Sequence, residues 1–266
     1  MPKIKAIISD ADGTLVDTLH LIRHGQYETA KKYLTQHGIP EDNLPTYQAY
    51  EHHLHQVLGG SARETLERTV RLLYQKTPAN LVGIDFDALH ALLNPIQDKI
   101  APKYVKAFAG LQQMLEWLGK EQVSLAVFTS GTPHHIVRNF GIALPGLGMT
   151  TLFTNTQPSE LEKLAQLEQK LEQVFSILKV TFVTCNDVSA TKPDPESILV
   201  AMDRLDISRD EAAILGDHWV DMEAGKNAGV LLRIGVSHGF DDEAKLEKAG
   251  ATHVIHKLDE LRDVLK

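Results

Sequence analysis

The sequence predicts an α/β fold: a doubly wound parallel sheet with an all-helical unit inserted near its start. Three observations carry this expectation. The chain opens on a short β-branched apolar run, Lys3 to Ser9 (KIKAIIS), that ends on acidic residues and glycine, the pattern of a buried strand feeding a loop. Similar runs return in the second half of the chain, separated by helical stretches, and that alternation is the pattern of a parallel sheet. Between Leu19 and about Ile100 no strand run occurs, and apolar residues recur at helical spacing instead.

Taken in order, Lys3 to Ser9 is the first strand, and Leu15 to Thr18 is the way out to the insertion. A helix is expected from Leu19 to His37, stopped by Gly38, and Gly59-Gly60 separates the next helix from a third beginning near Ala62. Pro95 should bend or end a turn, and Pro102 to Phe108 is the way back. The expected division is residues 1–17 and 103–266 for the sheet domain and 18–102 for the helical one. Further strands are expected at Ser124 to Phe128, Val180 to Cys185, Ala212 to Leu215, Val230 to Ile234 and Thr252 to Ile255. Ser159 to Leu178 reads as a strong helix, with Ser159 and Glu162 in capping-box spacing. Its stripe of Leu164, Leu167, Leu171, Val174 and Leu178 needs a surface to cover. The sheet domain is the expected surface, and a partner or homodimer interface is the alternative.

Composition narrows the function classes. At 266 residues the chain can form one large or two modest domains, and 43% hydrophobic with 23% charged residues indicates neither disorder nor a fibrous repeat. Lys and Arg total 27 against 35 Asp and Glu, a formal charge of -8 with no dense basic run, so neither nucleic acid nor an anionic membrane is an expected partner. The start is apolar for only a few residues, and no apolar stretch of about 18 residues exists elsewhere, so the location read is cytoplasmic. The single cysteine, Cys185, excludes an intramolecular disulfide and a multi-cysteine metal site, and its expected place is in a core.

The segment Asp10-Ala11-Asp12-Gly13-Thr14 follows the first strand. Two carboxylates two residues apart in a turn can divide labour, one attacking while the other handles protons. An EF-hand reading fails, because its glycine would come sixth, after three spaced oxygen ligands. Three other segments also follow expected strands: Thr129-Ser130-Gly131 after SLAVF, Lys192-Pro193 beyond TFVTC, and Gly216-Asp217-His218-Trp219-Val220-Asp221 after AAIL. In a parallel sheet the carboxyl ends share one edge, and ligands bind in the crevice outside it, so topology should unite the four segments. Asp10, Asp12, Asp217 and Asp221 would then crowd one crevice, where like charges about 4 Å apart repel by roughly 4 kcal/mol per pair. A hard dication relieves this, and Mg²⁺ suits a site with few carboxylates and a substrate phosphate. Lys192 adds positive charge, which together with the metal can stabilise a transferring phosphoryl group.

These motifs carry a resemblance. The sequence resembles the haloacid dehalogenase-like hydrolases, particularly the branch containing phosphoglycolate phosphatase. It does so through DADGT, the FTSG run with Thr129, the TKPDPE run with Lys192 and GDHWVD, followed by GKNAGV and a closing GATHVIHKLDEL. The match spans nearly the whole chain. It implies a Rossmann-like catalytic core with a helical cap domain, acting as a phosphatase on a small phosphorylated metabolite such as a phosphoglycolate-like compound or a sugar phosphate. It implies Asp10 as nucleophile and Asp12 as the acid, then the base. Thr129 and Lys192 would hold phosphoryl oxygens, and backbone amides around Asp12, Gly13 and Ser130 would complete the cradle. Mg²⁺ would bind the Asp10 carboxylate, the Asp12 carbonyl and Asp217, with Asp221 in support.

Departures and alternatives stand beside this. Ser9 and Ala11 are smaller than the bulky residues common beside the nucleophile, which would enlarge or wet the pocket, and Ser159 to Leu178 is longer than the family's usual. Mutase-like members carry a histidine where this chain has Ile22, flanked by His20 and His24, which disfavours a sugar phosphomutase. Dehalogenase and phosphonatase members lack the second aspartate, and Asp12 is retained. A phosphomutase or pyrophosphatase on the same fold is the nearest alternative. A signalling receiver would also combine clustered acids with Thr and Lys, but Asp12 and the helical insertion oppose it; a silent binding protein is opposed by the intact motifs. His52 and His55 share a helical face without a third ligand and read as surface, as do His134 and His135. Arg63 is divided between a surface arginine and a cap residue that reads a carboxylate or second phosphate of the substrate.

Overall fold

The computed structural model describes residues 3–53, 62–75, 83–149 and 158–266. It divides into two compact units, Met1–Asp17 with Lys106–Lys266, and Thr18–Val105.

The first unit contains strands β1 (Ala6–Ser9), β2 (Val16–Asp17), β3 (Lys106–Ala107), β4 (Ser124–Phe128), β5 (Val180–Val183), β6 (Ala212–Gly216), β7 (Leu232–Val236) and β8 (His253–Ile255). Six of them form one sheet in the order β5-β4-β1-β6-β7-β8, and every neighbouring pair is parallel. Each of the six apolar runs therefore contains a strand of the doubly wound sheet. The central strands β1 and β4 are buried along their whole length, because helices cover both faces of such a sheet and leave no polar alternation. The remaining pair, β2 and β3, is a two-residue antiparallel ribbon that no apolar run announced.

Two strand ends differ from expectation for local reasons. β7 starts at Leu232 rather than Val230, because the Val230 N–H donates to the Gly225 carbonyl at 3.0 Å and closes the preceding helix Trp219–Asn227. β5 ends at Val183, because the Thr184 N–H and hydroxyl both turn to the Asp187 carboxylate, at 2.8 and 2.7 Å. Cys185 consequently sits half-buried in that turn with its thiol toward Asn186 Oδ1, not in a core.

The helix Glu160–Phe175 starts at the capping box expected of it: Ser159 Oγ accepts the Glu162 N–H at 3.2 Å and Glu162 Oε2 accepts the Ser159 N–H at 2.6 Å. Leu164, Leu167 and Leu171 are buried. Ser176, with φ 57°, then ends the helix, and Val174 and Leu178 are exposed instead of continuing the stripe. The helix has a second task. Glu168 and Glu172, one turn apart, accept the Phe182 and Val180 N–H groups at 2.9 and 2.8 Å, the outward row of edge strand β5. They satisfy donors that an open sheet edge would otherwise offer to another chain.

The second unit is helical, with helices Leu19–Gln36, Tyr47–Glu51, Ala62–Gln75, Phe86–Ala91 and Leu93–Tyr104. Tyr33, Leu34, Tyr50, Leu66, Val70, Leu73, Leu89 and Leu93 form its core. The first helix stops just before Gly38, whose φ of 86° only glycine adopts without strain. Pro95 lies in the first turn of Leu93–Tyr104, where its missing N–H has no intrahelical partner to lose, so it helps open a helix rather than end one. The expected Gly59-Gly60 break and His55 lie outside the described residues. Among the described residues no helix is long and apolar enough to cross a membrane.

Candidate active site

The register of β1 against its neighbours brings the predicted acids together. Ser9 stands opposite Val127 on one side and Leu215 on the other. One residue further, Asp10 leaves the sheet edge as its N–H donates to the Leu215 carbonyl at 2.8 Å. Two residues past those partners come Thr129 and Asp217, so adjacent parallel strands deliver them to the same edge.

Asp10, Asp217 and Asp221 are buried, and one carboxylate oxygen from each lies within 4.8 Å of the others. Lys192 Nζ donates to Asp10 Oδ1 and, at 2.8 Å, to Asp221 Oδ1. It also stands 4.2 Å from the centroid of the Phe128 ring, a cation–π contact. Burial pushes the Asp10 carboxyl up to about 7, with Asp221 and Asp12 adding to the rise and Lys192 opposing it. Burial and the Asp10 and Asp221 charges likewise raise Asp217 well above the ordinary carboxylate range. For Lys192, burial works against the ammonium, but the two aspartates outweigh it and raise its pKa. One cation thus leaves three carboxyls short of positive charge. A hard dication bound by oxygen fits that donor set.

Asp217 is aimed from several sides. Its Oδ1 accepts the Thr14 hydroxyl at 2.7 Å and its Oδ2 accepts the Phe240 N–H at 2.7 Å. A Cβ on Gly13 would come within 2.4 Å of Asp217 Oδ2, and one on Gly239 within 2.1 Å, so both positions need glycine for the carboxylate to fit. Gly13 also has φ 92°. Its N–H donates to the Val16 carbonyl at 2.9 Å, which corrects the expectation that this amide faces a phosphate. Gly13 shapes the site through its missing side chain. Asp221 opens the helix Trp219–Asn227 in a capping box, its Oδ2 accepting the His218 N–H at 3.1 Å.

Asp12 is less buried, and its Oδ1 accepts from Asn139 Nδ2 at 3.1 Å. Thr129 is buried, with Oγ1 accepting the Gly131 N–H at 2.9 Å, and Ser130 beside it is half-buried. Ser9 and Ala11 are both buried, and the Ser9 hydroxyl donates to the Asp10 carbonyl at 2.8 Å.

Arg63 belongs to the helical unit, where its guanidinium pairs with Asp87 at 2.7 Å and with Glu67 at 3.2 Å. His24, in the same unit, stacks between Tyr47 and Tyr104 with ring centroids 3.9 and 4.6 Å away. His135, expected at the surface, is buried, because its ring turns back to cap the helix Pro133–Ala143. Four contributors escaped sequence reading: Thr14, Asn139, Gly239 and the Phe240 amide. Only Thr14, inside DADGT, had a local signal. Among the described residues, the aspartate trio is the one group of three or more possible metal ligands.

The chain is similar to several known proteins. A phosphorylated carbohydrates phosphatase of Thermotoga maritima is 26% identical over 267 residues, covering 99% of both chains. A pyrophosphatase PpaX of Bacillus mycoides is 23% identical over 263 residues, covering 99% of this chain and 97% of that one. The crystal structure of CbbY from Rhodobacter sphaeroides, in complex with phosphate, superposes with a TM-score of 0.69 at 18% identity, covering 97% of this chain and 96% of that one, and at that identity it speaks to the fold alone. The family model for haloacid dehalogenase-like hydrolases matches residues 4–229, most of the chain and all four acid, threonine and lysine segments. The chain belongs to the haloacid dehalogenase-like hydrolases.

Proposed function

We propose that this protein is a Mg²⁺-dependent phosphatase that hydrolyses a small phosphorylated metabolite through a phosphorylated Asp10. Residues 1–17 and 103–266 would be its catalytic core and residues 18–102 its cap domain. The observation that carries the reading is the buried Lys192 ammonium shared between Asp10 and Asp221, beside Asp217, with Asp12 two residues from the nucleophile.

Asp10 attacks phosphorus as the bond to the leaving oxygen breaks, and Asp12 gives that oxygen its proton. Asp12 then takes a proton from the water that attacks the phosphorylated Asp10, which returns the aspartate and frees phosphate. Lys192, the Thr129 hydroxyl and backbone amides near Asp12 and Ser130 hold the phosphoryl oxygens, as donors set before charge develops. Mg²⁺, held by the Asp10 carboxylate, the Asp12 carbonyl and Asp217 with Asp221 in support, would stabilise charge on the phosphoryl group. The Thr14 hydroxyl and the Phe240 amide keep Asp217 aimed.

The named relatives act on phosphorylated carbohydrates and on pyrophosphate, and the same core chemistry serves an ester or an anhydride. The decisive measurement is release of inorganic phosphate with Mg²⁺ from a panel of sugar phosphates, phosphoglycolate and pyrophosphate. Isomerised substrate without free phosphate would establish a mutase instead. No turnover of any kind would defeat the proposal.

A pH signature follows from the raised carboxyls. In the metal-free protein Asp10 titrates near 7 when folded against 3.8 as its ordinary value, so the folded state keeps a proton that the unfolded chain releases. Stability should therefore fall as pH rises through that window. In EDTA, Tm is expected to be lower at about pH 7.5 than at about pH 5.5. Mg²⁺ should remove most of the difference and Asp10→Asn should flatten it. A metal-free Tm that rises over this window would contradict the electrostatic account.

Arg63 is proposed to read the non-reacting end of the substrate. Its present partner Asp87 is 85% exposed, where water screens the pair, so a substrate anion can displace it. Arg63→Ala is expected to lower kcat/KM for an anionic metabolite by about 10- to 100-fold, the range for a lost hydrogen bond to a charged group. A small aryl phosphate should be nearly unaffected. Equal losses on both substrates would return Arg63 to its role of joining two helices.

A further inference from the structure

Asp12 does not stand alone at the mouth of the site. The helix Pro133–Ala143 begins directly after Thr129-Ser130-Gly131 and carries Asn139, whose side-chain amide reaches Asp12 Oδ1 at 3.1 Å. Asn139 and its neighbour Arg138 are 3% and 4% exposed, so a buried amide meets the half-buried Asp12. Its orientation is decided chemically. Arg138 Nε, which can only donate, lies 3.0 Å from Asn139 Oδ1. That fixes the carbonyl end toward Arg138 and the NH₂ end toward Asp12.

We infer that Asn139 is a positioning residue for the proton-transfer step, acting through Asp12 and itself held by Arg138. An N–H donated to Oδ1 engages one of that oxygen's lone pairs and so favours the acidic proton of Asp12 on Oδ2. The carboxyl cannot rotate without breaking that part-buried hydrogen bond. When Asp10 forms its bond to phosphorus, the P–O bond to the leaving group breaks and the Oδ2 proton passes to the departing oxygen. The inference rests on the reading of Asp12 as general acid given above.

The test is a leaving-group comparison. Dinitrophenyl phosphate expels a phenolate that needs no proton, whereas phenyl phosphate expels an oxygen that does. kcat/KM reports through the first irreversible step, so it sees the transfer directly. Asn139→Asp keeps an acceptor for Arg138 but removes the donor to Asp12. It is expected to lower kcat/KM for phenyl phosphate by about 10- to 100-fold, up to the lower end of what general acid help contributes. For dinitrophenyl phosphate the loss should be below about 3-fold, because that leaving group gains little from a general acid. Asn139→Ala, which removes donor and acceptor together, should show the same asymmetry.

Asp12→Asn is the reference. If it shows no leaving-group asymmetry, the assignment of Asp12 as acid fails. If it shows the asymmetry and both Asn139 variants depress the two substrates alike, the assignment survives and the role of Asn139 is overturned. Wild-type kinetics in Asn139→Asp would likewise overturn it, as would failure of both variants to fold, which would assign Asn139 to stability alone.

Discussion

Asp10→Asn is expected to abolish phosphoenzyme formation and to lower phosphatase turnover by on the order of 10⁴-fold or more, the scale reached when a covalent nucleophile is removed. The amide is nearly isosteric, and its oxygen can still accept from Lys192. The substitution also removes one of three buried acids, so it should leave the fold intact or raise metal-free stability. Loss of activity in a well-folded variant would therefore report chemistry rather than damage. Rapid quench of the wild type with substrate, followed by mass spectrometry, should find the phosphoryl group on Asp10. A phosphoryl group on any other residue, or an Asp10→Asn variant that retains turnover, would overturn the mechanism.

Lys192→Met should produce the second large effect, on stability and catalysis together. The thioether chain keeps an apolar stem near the Phe128 ring, so the change removes charge more than packing. Asp10 and Asp221 would then face each other and Asp217 without the one cation they share. Removing one partner of a buried ion pair typically costs about 3 to 5 kcal/mol, which is a large part of a stability of about 5 to 15 kcal/mol. Denaturant unfolding in EDTA at neutral pH should show that loss. Mg²⁺ should restore part of the stability, since a dication can also neutralise the acids. It should not restore turnover, which is expected to stay about 10² to 10³-fold low, as when one donor to a developing anion is lost. Unchanged stability and unchanged turnover would make Lys192 a bystander.

The two variants also separate the roles of the cluster. Asp10→Asn relieves repulsion and removes the attacking group, whereas Lys192→Met keeps the attacking group and increases repulsion. Stability should therefore move in opposite directions while activity falls in both. A shared fall in stability would mean that packing around the cluster, and not its charge, governs the site.

Much of this protein was legible in the chain itself, and the reason is burial. Strands buried on both faces must be apolar throughout, so β1, β4 and β6 appear as unbroken runs, and a parallel sheet forces the loops after them to one edge. That logic unites Asp10, Thr129, Lys192, Asp217 and Asp221 without coordinates. Capping chemistry is equally local: Ser159 and Glu162 announced their helix because the partners lie three residues apart. Contacts made across the fold left no such trace. Asn139 meets Asp12 across 127 positions, Phe240 offers its amide to Asp217, and Gly239 matters for the side chain it lacks. Glu168 and Glu172 lie off the leucine stripe of their helix, yet they cover the edge of β5. Each depends on how far one element is rotated and how closely its backbone approaches another. Periodicity and spacing encode which face is buried; only tertiary packing decides which side chain on that face meets a reacting group.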